Sequence, residues 1–355
     1  MLSTQQPVVI ICIFCTIFFA ACQAPKTTQE EALKPDFVTD TTLTDTDDPA
    51  IWVNPNDATQ SLILGTDKDD ENGGVYAFDL KGKLIEGKQI LGLKRPNNID
   101  VAYGLDFGGK LVDIAVFTER GKNSIRVLRL PELEFIDGGG IPVFVEDSLR
   151  DPMGLALYEN PANGSISAIV SRKTGADGSY LWQYELRDSA GVVAGNLLRK
   201  FGAFKGGKEI EAICVDDELG YVYYSDEGVG VHKYYAHPDS SNTELALFAN
   251  QDFTEDHEGI SIYRQPNGKG YILVSDQQAN RFHVFSREGS TGKPHEHKRL
   301  AIIPVSTDES DGSESNSTAF GNLYPKGFFI AMSANKTFQI YRWEQLEQRI
   351  KKSAE

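Results

Sequence analysis

The sequence predicts an all-β protein: a six-bladed β-propeller, closed as a ring by an N-terminal strand and followed by a short C-terminal helix. Three observations predict it. Period-2 alternation and Gly/Asn/Asp turns fill the chain, and long helical patterns are missing until its end. Six segments resemble one another: VYAFDLKGK (75–83), SIRVLRLPE (124–132), YLWQYELRD (180–188), VGVHKYYAH (229–237), NRFHVFSRE (280–288) and KTFQIYRWE (336–344). Their matched positions, Phe78, Leu128, Tyr184, Tyr234, Phe285 and Tyr341, recur at intervals of 50, 56, 50, 51 and 56 residues. Each segment follows an apolar strand with a polar end (LILGTDK, IAVFTER, AIVSRK, VYYSDE, ILVSDQ, FIAMSAN), and most have a further strand with a polar start before that (DDPAIWV, NNIDVAY, PMGLALY, EIEAICV, DHEGISIY). A long, fixed period with several strands in each unit is the mark of a propeller. An irregular β-sandwich would not explain six matched periods.

The elements follow in chain order. The first 22 residues carry no charged side chain, and an apolar run, Val8 to Ala21, leads into Phe19-Ala20-Ala21-Cys22. That is a secretory h-region followed by small residues and a cysteine, too short for a confident spanning helix. It resembles the lipobox of a bacterial lipoprotein, in which the cysteine, here Cys22, is acylated and becomes the mature N-terminus. The n-region MLSTQQP departs from that pattern in having no Lys or Arg. The expectation is an exported protein, lipid-anchored to a bacterial membrane; Gln23, rather than Asp, after the cysteine resembles outer-membrane sorting, on the periplasmic or surface face. Residues 1–22 are then a signal peptide, 23–35 a polar flexible tether, and 36–355 a single propeller domain, expected to be a monomer. Asp36 to Thr44 precedes the first inner strand and is placed to give the last blade its outer strand. Blade one opens as a hairpin, Pro49 to Val53 descending, an Asn/Asp/Pro turn, and Leu62 to Gly65 returning. The last repeat ends at Trp343, and a helix-like run continues to Lys352.

Composition bounds the function. Of four cysteines, Cys12 and Cys15 lie in the signal and Cys22 at the lipid site. Only Cys214 remains, so the domain has no internal disulfide and relies on its core. The net charge of −16 falls wholly after residue 22. That argues against nucleic acid or anionic lipid as a direct partner and is compatible with bound divalent cations.

Antiparallel neighbours place the start of a blade's first strand beside the end of its second. These starts and ends therefore gather at one mouth of the central channel. Blade one brings Asp47, Asp48, Asp67 and Lys68; blade two brings Asn97, Asn98, Asp100 and Arg120; blade three brings Met153, Arg172 and Lys173. Blade four brings Glu209, Glu211, Asp226 and Glu227, blade five Asp256, Glu258, Asp276 and Gln277, and blade six Asp308, Asp311, Glu314 and Asn335. Cations come from blades one to three and mostly carboxylates from blades four to six. Taken singly, each is most simply a solvated turn residue. Together, carboxylates crowded on one mouth repel unless neutralised, and oxygen ligands without a Cys or His cluster point to Ca²⁺, several ions of it. The basic side is the chemistry of an anion clamp, most naturally for phosphate. Metal facing a Lys/Arg clamp points to phosphoester chemistry. The six histidines show no repeating ligand spacing and read as surface or packing residues. Cys214, mid-strand in EAICV, reads as a small core residue.

At DDPAIW, NNIDVAY, the Lys68 and Arg120 strand ends, IEAICVDDELGYVYYSDE and DHEGISIY, the chain closely resembles the β-propeller phytases over about residues 36 to 346. The resemblance implies Ca²⁺-requiring hydrolysis of phosphate monoesters of phytate (myo-inositol hexakisphosphate) by metal-activated water, without a covalent phosphoenzyme. It implies Lys68, Arg120 and Lys173 as phosphate-binding residues, joined here by Arg172. It implies Asp48, Glu211, Glu227, Asp256 and Glu258 as calcium acids, and Asn98 and Asp100 match its NN-x-D motif; Asp47 and Asp311 complete the expected metal set. Catalysis is expected to fall to Lys68, Arg120, Lys173, Glu211 and Glu227. The chain departs from the family pattern at Met153, in place of a Tyr, and at Asp69 and Thr174. TEG becomes Ile210-Glu211-Ala212, the blade-six loop is the short TDESDGSES, and a DG-rich stretch is reduced to SANKT.

Other phosphatase chemistries lack their motifs. There is no Arg-His-Gly triplet, no Cys-x5-Arg loop and no GxxxxGK[ST] loop. Two rival classes stand beside the enzyme. One is a non-catalytic surface propeller that captures phytate or another polyanion for an outer-membrane uptake transporter. The other is a calcium propeller acting on lactones or phosphotriesters, which the Lys68/Arg120/Lys173 set disfavours.

Overall fold

The computed structural model describes residues 31–355. Cys22 and the signal peptide 1–22 lie outside the described residues. Residues 32 to 355 form one compact unit, and its strands make six antiparallel sheets, five of four strands and one of five. Blade one is Thr46–Trp52, Leu62–Asp67, Gly73–Phe78 and Leu84–Leu93, and blade two begins Pro96–Phe107, Lys110–Glu119 and Ser124–Leu130. Blade three is Pro152–Glu159, Ile166–Arg172, Leu181–Asp188 and Val193–Phe201, and blade four Ile213–Asp216, Tyr221–Asp226, Gly230–Tyr235 and Ala246–Phe248. Blade five is His257–Gln265, Lys269–Asp276, Arg281–Ser286 and Arg299–Pro304. Blade six is Ser313–Asn316, Phe328–Ser333 and Thr337–Arg342, completed by the N-terminal strand Phe37–Val38, whose residues pair with Ile340 and Gln339. The ring closes as the sequence predicts.

Both faces of each sheet are buried, so the core is divided among the seams between blades. Among the described residues there are six apolar clusters, one for each pair of neighbours, such as Leu64 and Val75 of blade one with Phe117 and Leu128 of blade two. The helix Trp343–Ser353 buries Trp343, Leu346 and Ile350 on the seam between blades five and six. These lie three and four residues apart, one face of a helix. Leu33 belongs to the same cluster, and its N–H donates to the Pro304 carbonyl at 2.8 Å. The tether expected to run to residue 35 is therefore already packed on the propeller at Leu33.

Hydroxyl groups lace neighbouring blades just beneath the mouth. Thr118 donates to the Met153 carbonyl (2.9 Å), Ser171 to that of Ile210 (2.5 Å), Ser225 to that of Glu258 (2.9 Å) and Ser275 to that of Ser310 (2.8 Å). Each bond runs from a second strand to the start of the next blade. Register shifts at Thr46/Pro49, Pro96/Ile99, Pro152/Leu155 and His257/Ile260 break the first hairpin ladder at equivalent places. Such irregularities re-aim side chains, and here they turn Asp47, Asn97, Met153 and Glu258 into the site.

Candidate functional site

The pleat of the second strand decides which charges reach the mouth. Its last residue turns back into the fold. Asp67, Glu119, Asp226 and Asp276 accept backbone N–H groups of the preceding loop from Thr44 (2.8 Å), Lys94 (3.0 Å), Lys205 (2.7 Å) and Thr254 (2.9 Å). The following residue, Lys68, Arg120, Lys173, Glu227 or Gln277, faces the opening, because consecutive side chains leave opposite sides of a strand.

Arg172 shows the consequence. Expected at the substrate, it occupies the buried position: it donates to Asp147 (2.5 Å), the Leu149 carbonyl (3.3 Å) and the Ser179 carbonyl (3.2 Å), and lies over the rings of Phe144 and Trp182. It is a strut of blade three, and its neighbour Lys173 is the residue at the rim. Asp100 is likewise withdrawn. Its carboxylate accepts the N–H groups of Val101 and Leu157, both at 2.7 Å, and lines an axial cavity of about 310 Å³ below the mouth with Glu314, Asp217, Arg264 and Cys214. The amide of Asn98, oriented to satisfy its neighbours, donates to the carbonyl oxygens of Met153 (3.3 Å) and Glu211 (2.9 Å), tying blade two to blades three and four.

The remaining acids converge. One carboxylate oxygen each from Glu209, Glu211 and Glu227 lies within 4.8 Å of the others, and so does one each from Glu227, Asp256 and Glu258. Glu227 is common to both groups. Burial, with the charge of Asp47 next, pushes the Glu211 carboxyl up to about 8 against the pull of Lys68 and Arg120. Burial and the charges of Glu209 and Asp256 push Glu227 up to about 7. Glu258 is raised well above its ordinary range by burial and by Glu211 and Glu227, and its buried Oε2 accepts no hydrogen bond. An unpartnered carboxylate oxygen among carboxylates is what a hard cation relieves, and the donor set is all oxygen. The residues fit a divalent metal of the calcium type.

Asp48 lies between mouth and cavity. Its Oδ2 accepts the Ile99 N–H at 3.1 Å, and burial with the Asp47 charge raises it well above the usual carboxylate range. Lys68 stands at the boundary of the two charge fields, 3.1 Å from Asp47 and paired with Asp311. Burial opposes its charge, and Asp47, Asp311 and Glu211 overcome that, so the ammonium stays protonated. Arg120 lies 3.9 Å from Glu211 and touches the sulfur of Met153; Lys173 lies 2.6 Å from Glu209. Beyond the expected residues, Lys208 pairs with Asp256, and Gln278 donates to Asp256 at 2.9 Å. Lys208 belongs to no strand end, so the repeat pattern passes over it; only its place one residue before Glu209 marks it. Of the histidines, expected as surface or packing residues, His257 sits against Phe253 with its Nε2 2.6 Å from the Ala249 carbonyl, and His232 lies between Asp226 (3.2 Å) and Glu244 (2.6 Å). Burial pushes the Cys214 thiol well above its ordinary value, which favours the neutral thiol over the thiolate.

Fold and mouth together define a propeller that sets metal-fitting carboxylates against cations at one end of its channel. The phytase family model matches residues 2–355. A curated relative, "3-phytase" of Bacillus subtilis (strain 168), is 30% identical over 329 residues, covering 86% of this chain and 81% of its own. Among solved structures, one titled "Structure of Dos1 propeller" aligns with a TM-score of 0.44 at 11% identity, covering 84% of this chain and 68% of that one. The chain belongs to the phytase family, and it is an enzyme of that class.

Proposed function

We propose that the protein is a calcium-dependent phosphomonoesterase that hydrolyses phytate to lower inositol phosphates and phosphate, by direct attack of water. The observation that carries this reading is the pair of carboxylate triads sharing Glu227, bordered by Lys173 at Glu209 and Arg120 at Glu211, with Lys68 beside them at Asp47 and Asp311. Glu211, Glu227, Asp256 and Glu258, with Asp48 and Asp311 beside them, would hold the calcium ions. Bound calcium would supply the activation of water and neutralise charge on the phosphate.

The other parts of the chemistry belong to the side chains. Lys68 and Arg120 bind the scissile phosphate, Lys68 as a compact permanent charge and Arg120 as a planar fork. Charge that develops on the phosphate oxygens in the transition state meets donors already fixed in place, Lys68 by Asp47 and Asp311, and Arg120 by Met153 and Glu211. Lys173, 45% exposed, reaches the substrate from the rim. Met153 packs on Arg120 and offers no oxygen ligand, so this position orients a guanidinium.

Two substitutions test the division of labour. Lys68→Ala is expected to lower kcat/KM for phytate roughly 30-fold, about 2 kcal/mol, and to leave calcium binding close to that of the wild type by calorimetry. Glu227→Gln is expected to weaken calcium binding, because both triads lose a ligand. Equal loss of calcium and phytate in Lys68→Ala contradicts the partition. The proposal includes a lipid anchor at Cys22, an outer-membrane location and a monomeric state; acyl labelling that Cys22→Ser abolishes tests the anchor.

A further inference from the structure

Between Lys68 and Arg120 the chain sets another cation, Arg95, which precedes the inner strand of blade two and which the strand-end pattern does not select. Its backbone is left-handed, with φ of 53°, a conformation that favours Gly or Asn. Hydrogen bonds pin it from both sides: its N–H donates to the Asp69 carbonyl at 2.9 Å, and its own carbonyl accepts the Arg120 N–H at 3.0 Å. The side chain therefore starts from the rim between the turn after Lys68 and the strand end at Arg120. Its charge acts on Asp47 and Glu211, and on the guanidinium of Arg120.

Two like charges side by side repel, and each keeps a buried Nε–H that donates to nothing. An anion placed between them would relieve both conditions. The present partner of Arg95 is a loose one. Nη1 donates to Asp70 at 2.8 Å, and the Asp70 side chain is 71% exposed, so the pair contributes little and is easily exchanged.

We propose that Arg95 is a further substrate-binding residue, turning from Asp70 to donate to phosphate oxygens of the substrate alongside Arg120. The inference rests on the phytate reading of the mouth, and its test separates the two. Arg95→Gln and Asp70→Asn are made in the full chain. Each is assayed for calcium-dependent phosphate release from phytate, and for calcium-supported binding of myo-inositol hexakissulfate, a mimic without a scissile phosphate.

Arg95→Gln is expected to raise KM and weaken mimic binding about ten-fold, with kcat within about two-fold of the wild type. Asp70→Asn is expected to leave both constants unchanged or tighten them, because it frees the guanidinium. Should Arg95→Gln fail to fold, Arg95→Lys carries the test. It keeps the charge and loses the fork, and a KM about three-fold higher is expected. An Arg95 variant that binds and turns over like the wild type overturns the proposal. So does Asp70→Asn reproducing the loss, which would make Arg95 a strut. Wild-type protein that neither releases phosphate nor binds the mimic overturns the phytate reading and this inference with it.

Discussion

Glu314 enters the axial cavity from blade six, and its carboxyl is pushed up to about 8 by burial and by the charge of Asp100, against a hydrogen bond from the Ser315 N–H. The ordinary value is 4.5, so the native protein holds a proton that the unfolded chain gives up between these two values. Stability that is fully present below the lower value is lost as pH rises through the upper one. Glu314→Gln, neutral throughout, is expected to gain in melting temperature relative to the wild type as pH rises from about 5 to about 8.5; a difference that is flat or shrinks contradicts the assignment. At this scale the sequence is read through the pleat. Lys68, Arg120 and Glu227 are legible because a charge one residue past an apolar strand leaves the sheet at its end, where the other strand ends gather charges to meet it. Arg172 is misread because its place one residue earlier sends it inward, toward Phe144 and Trp182. Single-residue phase is invisible to a pattern that says only "polar end". Arg95 and Lys208 lie in loops, whose path depends on the neighbouring blade.

At the scale of elements, Phe37–Val38 fastens the ring, and Asp36 anchors it by accepting the Arg342 N–H at 2.8 Å and the Gln345 amide at 2.7 Å. The last blade cannot be completed from its own end of the chain, which is why a segment before the first blade was legible as its outer strand. Asp36→Ala removes both bonds and the 3.1 Å contact with Arg342. It is expected to cost about 1–2 kcal/mol, a fall of a few degrees in the calorimetric melting temperature, while phytate kinetics stay unchanged because the site lies at the mouth. An unaltered melting temperature would show that the closing strand is held by other contacts. The hydroxyl laces from Thr118, Ser171, Ser225 and Ser275 were not legible. A Thr or Ser does recur at this place in all six repeats (Thr66, Thr118, Ser171, Ser225, Ser275 and Ser333), but its partner is a carbonyl of the next blade, which only the closed ring brings within reach.

For the whole molecule, the seams explain why six similar repeats make one stable body: each blade buries both faces only when it has two neighbours. The same arrangement brings acids from blades four and five, and Asp47, Asp48 and Asp311, to one mouth, where Lys68, Arg120 and Lys173 from blades one to three meet them. A chain of net charge −16 repels a polyanion at long range, and in the proposed mechanism metal held by those acids would reverse the sign at the mouth. The most direct measurement is phosphate release from phytate at neutral pH by the purified protein, with calcium and after chelation. The account predicts release that requires calcium, vanishes with chelator and returns when calcium is restored. Release that is indifferent to chelation, or no release at any calcium concentration, would contradict it.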